Sequence, residues 1–224
     1  MIGNYKFELV NSWLGWGDPL EGLWTIGIEE GEPFRPELIP QMQEHHPFIY
    51  TSHYGKEEQL HDFGYTVAKI AAPLVNASPY KYAHKTMWDK GSKVFTGNYY
   101  PLGKPGTHVW PDWYEDLFEL TLNDYRKNEK SYMDIRTQCF REFRKQQKPQ
   151  AIICLGKTLW GKFEKVFVQY PNNFYYPVRG VKVFLKDNVI LTYHSSHGWI
   201  TNLMIEEVVR TLKKWNVQLP NGIK

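Results

Sequence analysis

The chain reads as an α/β protein, a three-layer α/β/α arrangement around a central, mainly parallel sheet. Three observations predict this. Apolar runs of strand length recur along the sequence, and the cleanest is Ala151-Ile152-Ile153-Cys154-Leu155. Segments with helical apolar spacing lie between these runs, the best formed being Thr201 to Trp215. Strands and helices alternate, as crossover connections between parallel strands require.

Taken in order, Trp24 to Ile28 is a short apolar run ending in a glycine-bearing turn, hence a strand and then a loop. Residues 31 to 55 carry Pro33, Pro36, Pro40 and Pro47 and are predicted irregular, apart from a helical turn near Pro36 to Glu44. His61 to Ala72 places Phe63, Val67, Ile70 and Ala71 at helical spacing, with Pro73 as its stop. Lys93 to Gly97 is a second strand, and Tyr99 to Pro111 a loop rich in proline and glycine. Helices are predicted over Asp112 to Leu120 and Tyr132 to Gln147. In the second, Met133, Ile135, Cys139, Phe140 and Phe143 mark the apolar side, with Arg and Lys outside. After Ala151 to Leu155, Gly156-Lys157-Thr158 opens a helix through about Val166. Val181 to Leu185 and Val189 to Thr192 are further strands, and His194 to Ile200 a loop. In the final helix Leu203, Ile205, Val208, Val209 and Leu212 should face inward, and Glu206, Glu207, Arg210 and Lys213 outward.

The 224 residues suit one domain, 1–224, with no repeat or linker. The composition, 42% hydrophobic and 23% charged, is that of an ordinary globular protein. The two cysteines, Cys139 and Cys154, cannot make a zinc site alone, and both read as structural. His45, His46, His53 and His61 match no zinc spacing, so no metal and no other cofactor is expected. Met1 to Val10 lacks the apolar stretch of a signal peptide, and no window approaches the roughly 20 apolar residues of a membrane span. A soluble, cytoplasmic protein with no membrane partner is expected. The net charge of +3 permits contact with a polyanion without demanding it, and the 16% aromatic content offers stacking surfaces as well as core.

Three segments carry chemistry: Gly27-Ile28-Glu29-Glu30-Gly31, Asn98-Tyr99-Tyr100-Pro101-Leu102 and His194-Ser195-Ser196-His197. Each ends or closely follows a strand-like run. A carboxylate, an amide and an imidazole at strand ends can converge on one pocket of an α/β sheet. That set suits cleavage of a base–sugar bond, which makes a cationic sugar and an anionic base.

In these motifs the chain resembles the uracil-DNA glycosylase superfamily. Gly27 to Gly31 is similar to the family's Gly-x-Asn/Asp-Pro-Gly or Tyr segment, and Asn98 to Leu102 is an intact Asn-x-x-Pro-Leu. His194 to His197 stands where the family has His-Pro-Ser-Pro, and Ala151 to Lys157 is similar to its strand–Gly–Lys segment. The likeness spans roughly Leu23 to Trp215. Ser195 and His197 replace both prolines of the last motif, and Glu30 replaces that of the first. The pattern is that of a divergent member, closest to the single-strand-selective monofunctional branch.

The resemblance implies a glycosylase that flips a pyrimidine out of DNA and hydrolyses its glycosidic bond without a lysine nucleophile. Glu29 would stabilise the sugar cation and orient or deprotonate water, with Glu30 as the competing acid. His194 would hydrogen-bond O2 of the departing base, with His197 as its rival. Asn98 would read the base edge, matching uracil in one amide orientation and cytosine in the other. Phe34 stands where the family stacks an aromatic on the base, and Gly27 belongs to the same motif. Gly31 leaves room at C5 where the strict uracil branch has tyrosine. That favours a 5-modified pyrimidine, such as a hydroxymethylated or glucosylated cytosine of phage DNA removed in defence, over uracil removed in repair. Ser195, Ser196 and His197 would hold phosphate, Trp199 or Ile200 would wedge the vacated stack, and Lys157, Lys162, Lys165, Arg179 and Lys182 are candidate phosphate contacts. The partner is DNA, single- or double-stranded, with the protein expected to act as a monomer. The alternatives are a non-catalytic binder of modified DNA and a hydrolase of free nucleosides. Gly156-Lys157-Thr158 does not make a P-loop, since Ala151 stands where the upstream glycine belongs.

Overall fold

A computed structural model describes residues 3–28, 33–50, 62–103, 109–195 and 199–220. Its strands are β1 (Gly15–Gly17), β2 (Leu23–Gly27), β3 (Phe48–Ile49), β4 (Val94–Asn98), β5 (Ala151–Leu155), β6 (Phe174–Val178), β7 (Val181–Phe184) and β8 (Val189–Thr192). They form one eight-stranded sheet in the order β3-β1-β4-β2-β5-β8-β7-β6. The four central strands, β4-β2-β5-β8, are mutually parallel. Antiparallel pairs attach β1 to β4 and β7 to β8.

Helices cover both faces, as the predicted three-layer α/β/α class requires. On one side lie α3 (Asp62–Ala71), α4 (Pro79–Lys85) and α8 (Asn202–Lys214); on the other, α6 (Leu122–Gln147) and α7 (Trp160–Phe167). The period-2 alternation of strand side chains decides which residues meet which helices. Ala151, Ile153 and Leu155 of β5 join Val67, Ile70 and Val208, while Ile152 and Cys154 join Phe140, Phe163 and Phe167. A third cluster sits beyond one end of the sheet. There α1 (Tyr5–Ser12), α2 (Ile39–His45) and α5 (Trp113–Phe118) enclose Phe7, Phe34, Tyr114, Phe118 and Tyr132.

Several elements depart from the sequence expectation. Helix α6 begins ten residues before Tyr132, because Thr121 caps it by accepting from the Asp124 N–H at 3.1 Å, and a polar first stretch needs to bury only Tyr125. Arg136 was expected outside and is buried; at three and four residues from Met133 and Phe140 it falls on the same inward stripe. The face of α8 is rotated similarly: Leu203 is exposed, Met204 is buried, and Glu207 is buried and paired with Arg210. Pro73 stops its helix as expected, the α-helix ending at Ala71 and the chain continuing as a 3-10 turn over Ala72–Leu74. The short elements α1, β1, β3, α4 and β6 lack a periodic signature long enough to read. Among the described residues no helix is long and apolar enough to cross a membrane.

Helix α8 leads directly out of the His194 loop, and Thr201 caps it by accepting from the Met204 N–H at 3.3 Å. Thr201→Ala is expected to cost about 1 kcal/mol in denaturant unfolding.

Candidate active site

The predicted site residues come from the carboxyl ends of the parallel strands. Gly27 ends β2, Asn98 ends β4, Gly156 and Lys157 follow β5, and His194 follows β8 by two residues. The chain leaves β2 for β4 on one side and later returns to β5 on the other, so the order reverses around β2. In open α/β sheets such a switch point at the carboxyl edge is where ligands bind.

Register brings Gly27 opposite Asn98. Two pairs below, the Thr25 and Thr96 hydroxyls are 2.9 Å apart, and the Trp88 indole N–H donates to Thr96 Oγ1 at 2.8 Å. These bonds pin the two strands beneath the site. Above them the ladder continues, the Tyr99 N–H donating to the Gly27 carbonyl at 2.9 Å and the Tyr100 N–H to that of Ile28 at 2.8 Å. A Cβ on Gly27 would lie 2.6 Å from Asn98 Oδ1 and 3.0 Å from Phe63 Cε2. A methyl group at this position would force the amide or the ring to shift.

Phe63, from the first turn of α3, links the motifs. Its ring lies against Gly27 and also faces the His194 imidazole, with centroids 6.5 Å apart and planes 27° from parallel. The sequence presented Phe63 only as an inward-facing helix residue. That it lies beside Gly27 emerges from the crossover after β2.

Phe34 lines one small cavity with Asn98. It is buried among Tyr114 and Phe118, 5.7 Å from the latter ring, and its backbone N–H donates to Tyr114 Oη at 2.6 Å. The same hydroxyl donates to the Gly103 carbonyl at 2.5 Å, so one tyrosine ties down the segments that follow the first two motifs. Phe34, Asn98, Tyr100, Trp13 and Arg136 line a cavity of about 20 Å³, room for one water and no base.

The strand tips are fixed from below. Arg136 is fully buried and reaches four main-chain carbonyls: Asn98 at 2.5 Å, Tyr99 at 2.7 Å, Asn11 at 2.8 Å and Trp13 at 2.6 Å. Burial pulls its pKa down to about 10, which still leaves the guanidinium charged at neutral pH. On the far side, the Trp160 indole N–H and the Gly156 N–H both donate to the Thr192 carbonyl, at 3.1 and 2.9 Å. Gly156 has φ +149°, and a Cβ there would strike Ile28 at 2.4 Å, so Ile28 closes the crevice between β2 and β5.

Of the candidate cations, Lys157 is exposed, with its ammonium 5.1 Å from the Tyr193 ring centroid. Lys162 donates to Tyr100 Oη at 2.6 Å and lies 3.5 Å from Glu129. Burial raises the Tyr100 phenol above its ordinary pKa, an effect that the Lys162 hydrogen bond opposes. Lys165 and Arg179 are exposed. Lys182 cannot serve as a phosphate contact: it is buried, paired with Glu164 at 2.8 Å, and held against the rings of Phe174 and Phe184. Ser195 is also buried, and its hydroxyl has no hydrogen-bond partner among the described residues. It is thus turned inward from the surface where a phosphate contact was expected. Trp199 stands 63% exposed. Glu29, Glu30, Gly31, Ser196 and His197 lie outside the described residues.

Neither known protein families nor curated proteins provide a match to this chain.

Gly27→Ala must push aside either the Asn98 amide or Phe63. It is expected to lower stability by about 1–3 kcal/mol in denaturant unfolding, as overpacking does, while Gly161→Ala, in open space, should leave stability within about 0.5 kcal/mol.

Proposed function

We propose that this protein is a monofunctional DNA glycosylase of the uracil-DNA glycosylase superfamily, acting on a flipped pyrimidine. The observation that supports it most is that Phe63 packs on Gly27 beside the Asn98 amide and also faces the His194 imidazole, at the carboxyl edge of the sheet. An amide, an aromatic face and an imidazole are what a base needs to be read, stacked and released.

In this reading the base lies on Phe63, which takes the stacking role expected of Phe34. Asn98 bonds its Watson–Crick edge. The C1′–N1 bond breaks, and its electron pair leaves with the base. His194 donates to O2, where the negative charge gathers. Water attacks C1′, its proton passing to the carboxylate of Glu29, one residue beyond Ile28. The products are the free base and an abasic sugar. Trp199 fills the vacated stack, offsetting part of the few kcal/mol that flipping costs. Lys157 and Lys165, exposed along the start and outer side of α7, contact phosphates. The absence of a side chain at Gly31 favours a pyrimidine substituted at C5, and a role against modified phage DNA before one in repair.

The deciding measurement is formation of alkali-sensitive abasic sites on DNA carrying uracil, 5-hydroxymethyluracil, 5-hydroxymethylcytosine or glucosylated 5-hydroxymethylcytosine. One base should be released, and Glu29→Gln and His194→Ala should each reduce its rate at least ~100-fold. DNA binding without release of any base would replace the enzyme with a non-catalytic binder of modified DNA.

Trp199→Ala should separate strand contexts. The loss is expected to be about tenfold on duplex DNA and under about twofold on single strands, where no stack has to be broken. Equal losses on both would remove the wedge role.

A further inference from the structure

We infer that Arg136 is the positioning residue of the base-reading amide, setting Asn98 through its main chain. The inference rests on the assignment of Asn98 as base reader.

Three features carry it. Arg136 is buried on the inward stripe of α6 and pairs with no carboxylate among the described residues; its partners are the carbonyls of Asn11, Trp13, Asn98 and Tyr99. A guanidinium kept in the interior without a counter-ion is costly, and well-packed apolar residues commonly serve stability as well. Stability of the helix alone therefore does not account for an arginine here. The fork is also specific in geometry. Nη2 and Nε reach consecutive carbonyls of Asn98 and Tyr99, while Nη1 reaches the two carbonyls at the end of α1. Lysine, a single point donor, cannot span both segments.

The bonds also continue into the first motif. The peptide whose carbonyl Arg136 holds at Asn98 donates its N–H, from Tyr99, to Gly27. The peptide it holds at Tyr99 donates its N–H, from Tyr100, to Ile28. Each peptide is thus polarised by a charge on one side and presented to the β2 tip on the other, which strengthens both bonds. The first of these peptides is the one that leaves Asn98, so its main chain is held directly, and Tyr99 stands between the two. Asn98 Oδ1 already lies so close to Gly27 that a methyl group there would force the amide or the Phe63 ring to shift. A small displacement of the Asn98 main chain would turn the amide away from the base edge, and a shift of about 1 Å can cost ~100-fold in rate.

The test is a double-mutant cycle of Arg136→Lys and Asn98→Ala, scored as base release from the DNA that the wild type cleaves best. Arg136→Lys keeps the charge and removes the fork. It should reduce kcat by about 10–100-fold with little change in KM, and it should relax discrimination among the bases as Asn98→Ala does. In the Asn98→Ala background the same change should cost less than about twofold, because the group it positions is gone. An equal factor in both backgrounds would mean a merely structural arginine and overturn the inference.

If the wild type releases no base from any DNA, the glycosylase reading fails, and Arg136 is judged separately by NMR. The side-chain amide pair of Asn98 should shift or broaden in Arg136→Lys; a pair left in place would refute positioning. Should that variant not fold, the wild-type Nε–H of Arg136 decides. Slow exchange with solvent is expected, and exchange as fast as that of a free arginine would exclude a held fork.

Discussion

Arg136 joins more of this molecule than any other polar side chain described. It enters from the long helix beneath the sheet and binds carbonyls at the end of α1 and at the tip of β4. Through the peptides of β4 it reaches the tip of β2. Taking a guanidinium out of water costs several kcal/mol, and only excellent hydrogen bonding offsets that. Here every partner is a main-chain carbonyl that lies beyond the regular ladder and would otherwise need its own donor. The two requirements satisfy each other. The depressed pKa, caused chiefly by burial, marks the tension without removing the charge.

The same economy governs the site above. Strand tips are crowded, and each motif spends a small residue where another needs space. Gly27 admits Asn98 and Phe63, and Gly156 admits Ile28. The hydroxyl pair of Thr25 and Thr96 holds the register below, so Asn98 faces Gly27 and not a neighbour one residue away. A slip of one residue would turn the amide to the other face of the sheet. Tyr114 performs the corresponding task for the loops, accepting from Phe34 and donating to Gly103. A rigid floor and fixed loop bases suit the chemistry proposed for this site, in which a base is oriented against an amide and an imidazole.

The strands that carry the motifs were legible because they are apolar and short, and because each ends at or just before a glycine or polar residue. Trp24 to Ile28, Lys93 to Gly97, Ala151 to Leu155 and Val189 to Thr192 each lie within a residue of β2, β4, β5 and β8. The surroundings of Phe34 and Phe63 are not legible in this way. Phe34 follows the first motif in sequence, yet the chain turns it into the aromatic cluster with Phe118, and Phe63 comes beside Gly27 from a helix more than thirty residues on. Sequence proximity does not measure distance once a crossover intervenes. Lys182 and Arg136 failed for a different reason: charge was taken as a sign of exposure. A careful count of helical spacing would have placed Arg136 on the inward stripe, but nothing local indicates that its partners are carbonyls.

What the sequence determined by itself is therefore the α/β class, the chain order of the strands and the placing of a carboxylate, an amide and an imidazole after three of them. These follow from periodicity and from turn chemistry, which act over a few residues. The tertiary structure alone decided which strands are neighbours, that the order reverses around β2, that Phe63 links the Gly27–Asn98 pair to His194, and that a buried arginine holds the amide's main chain. Those depend on contacts between residues far apart in the chain. Such contacts are fixed by packing both faces of the sheet at once, and no short window of sequence records them.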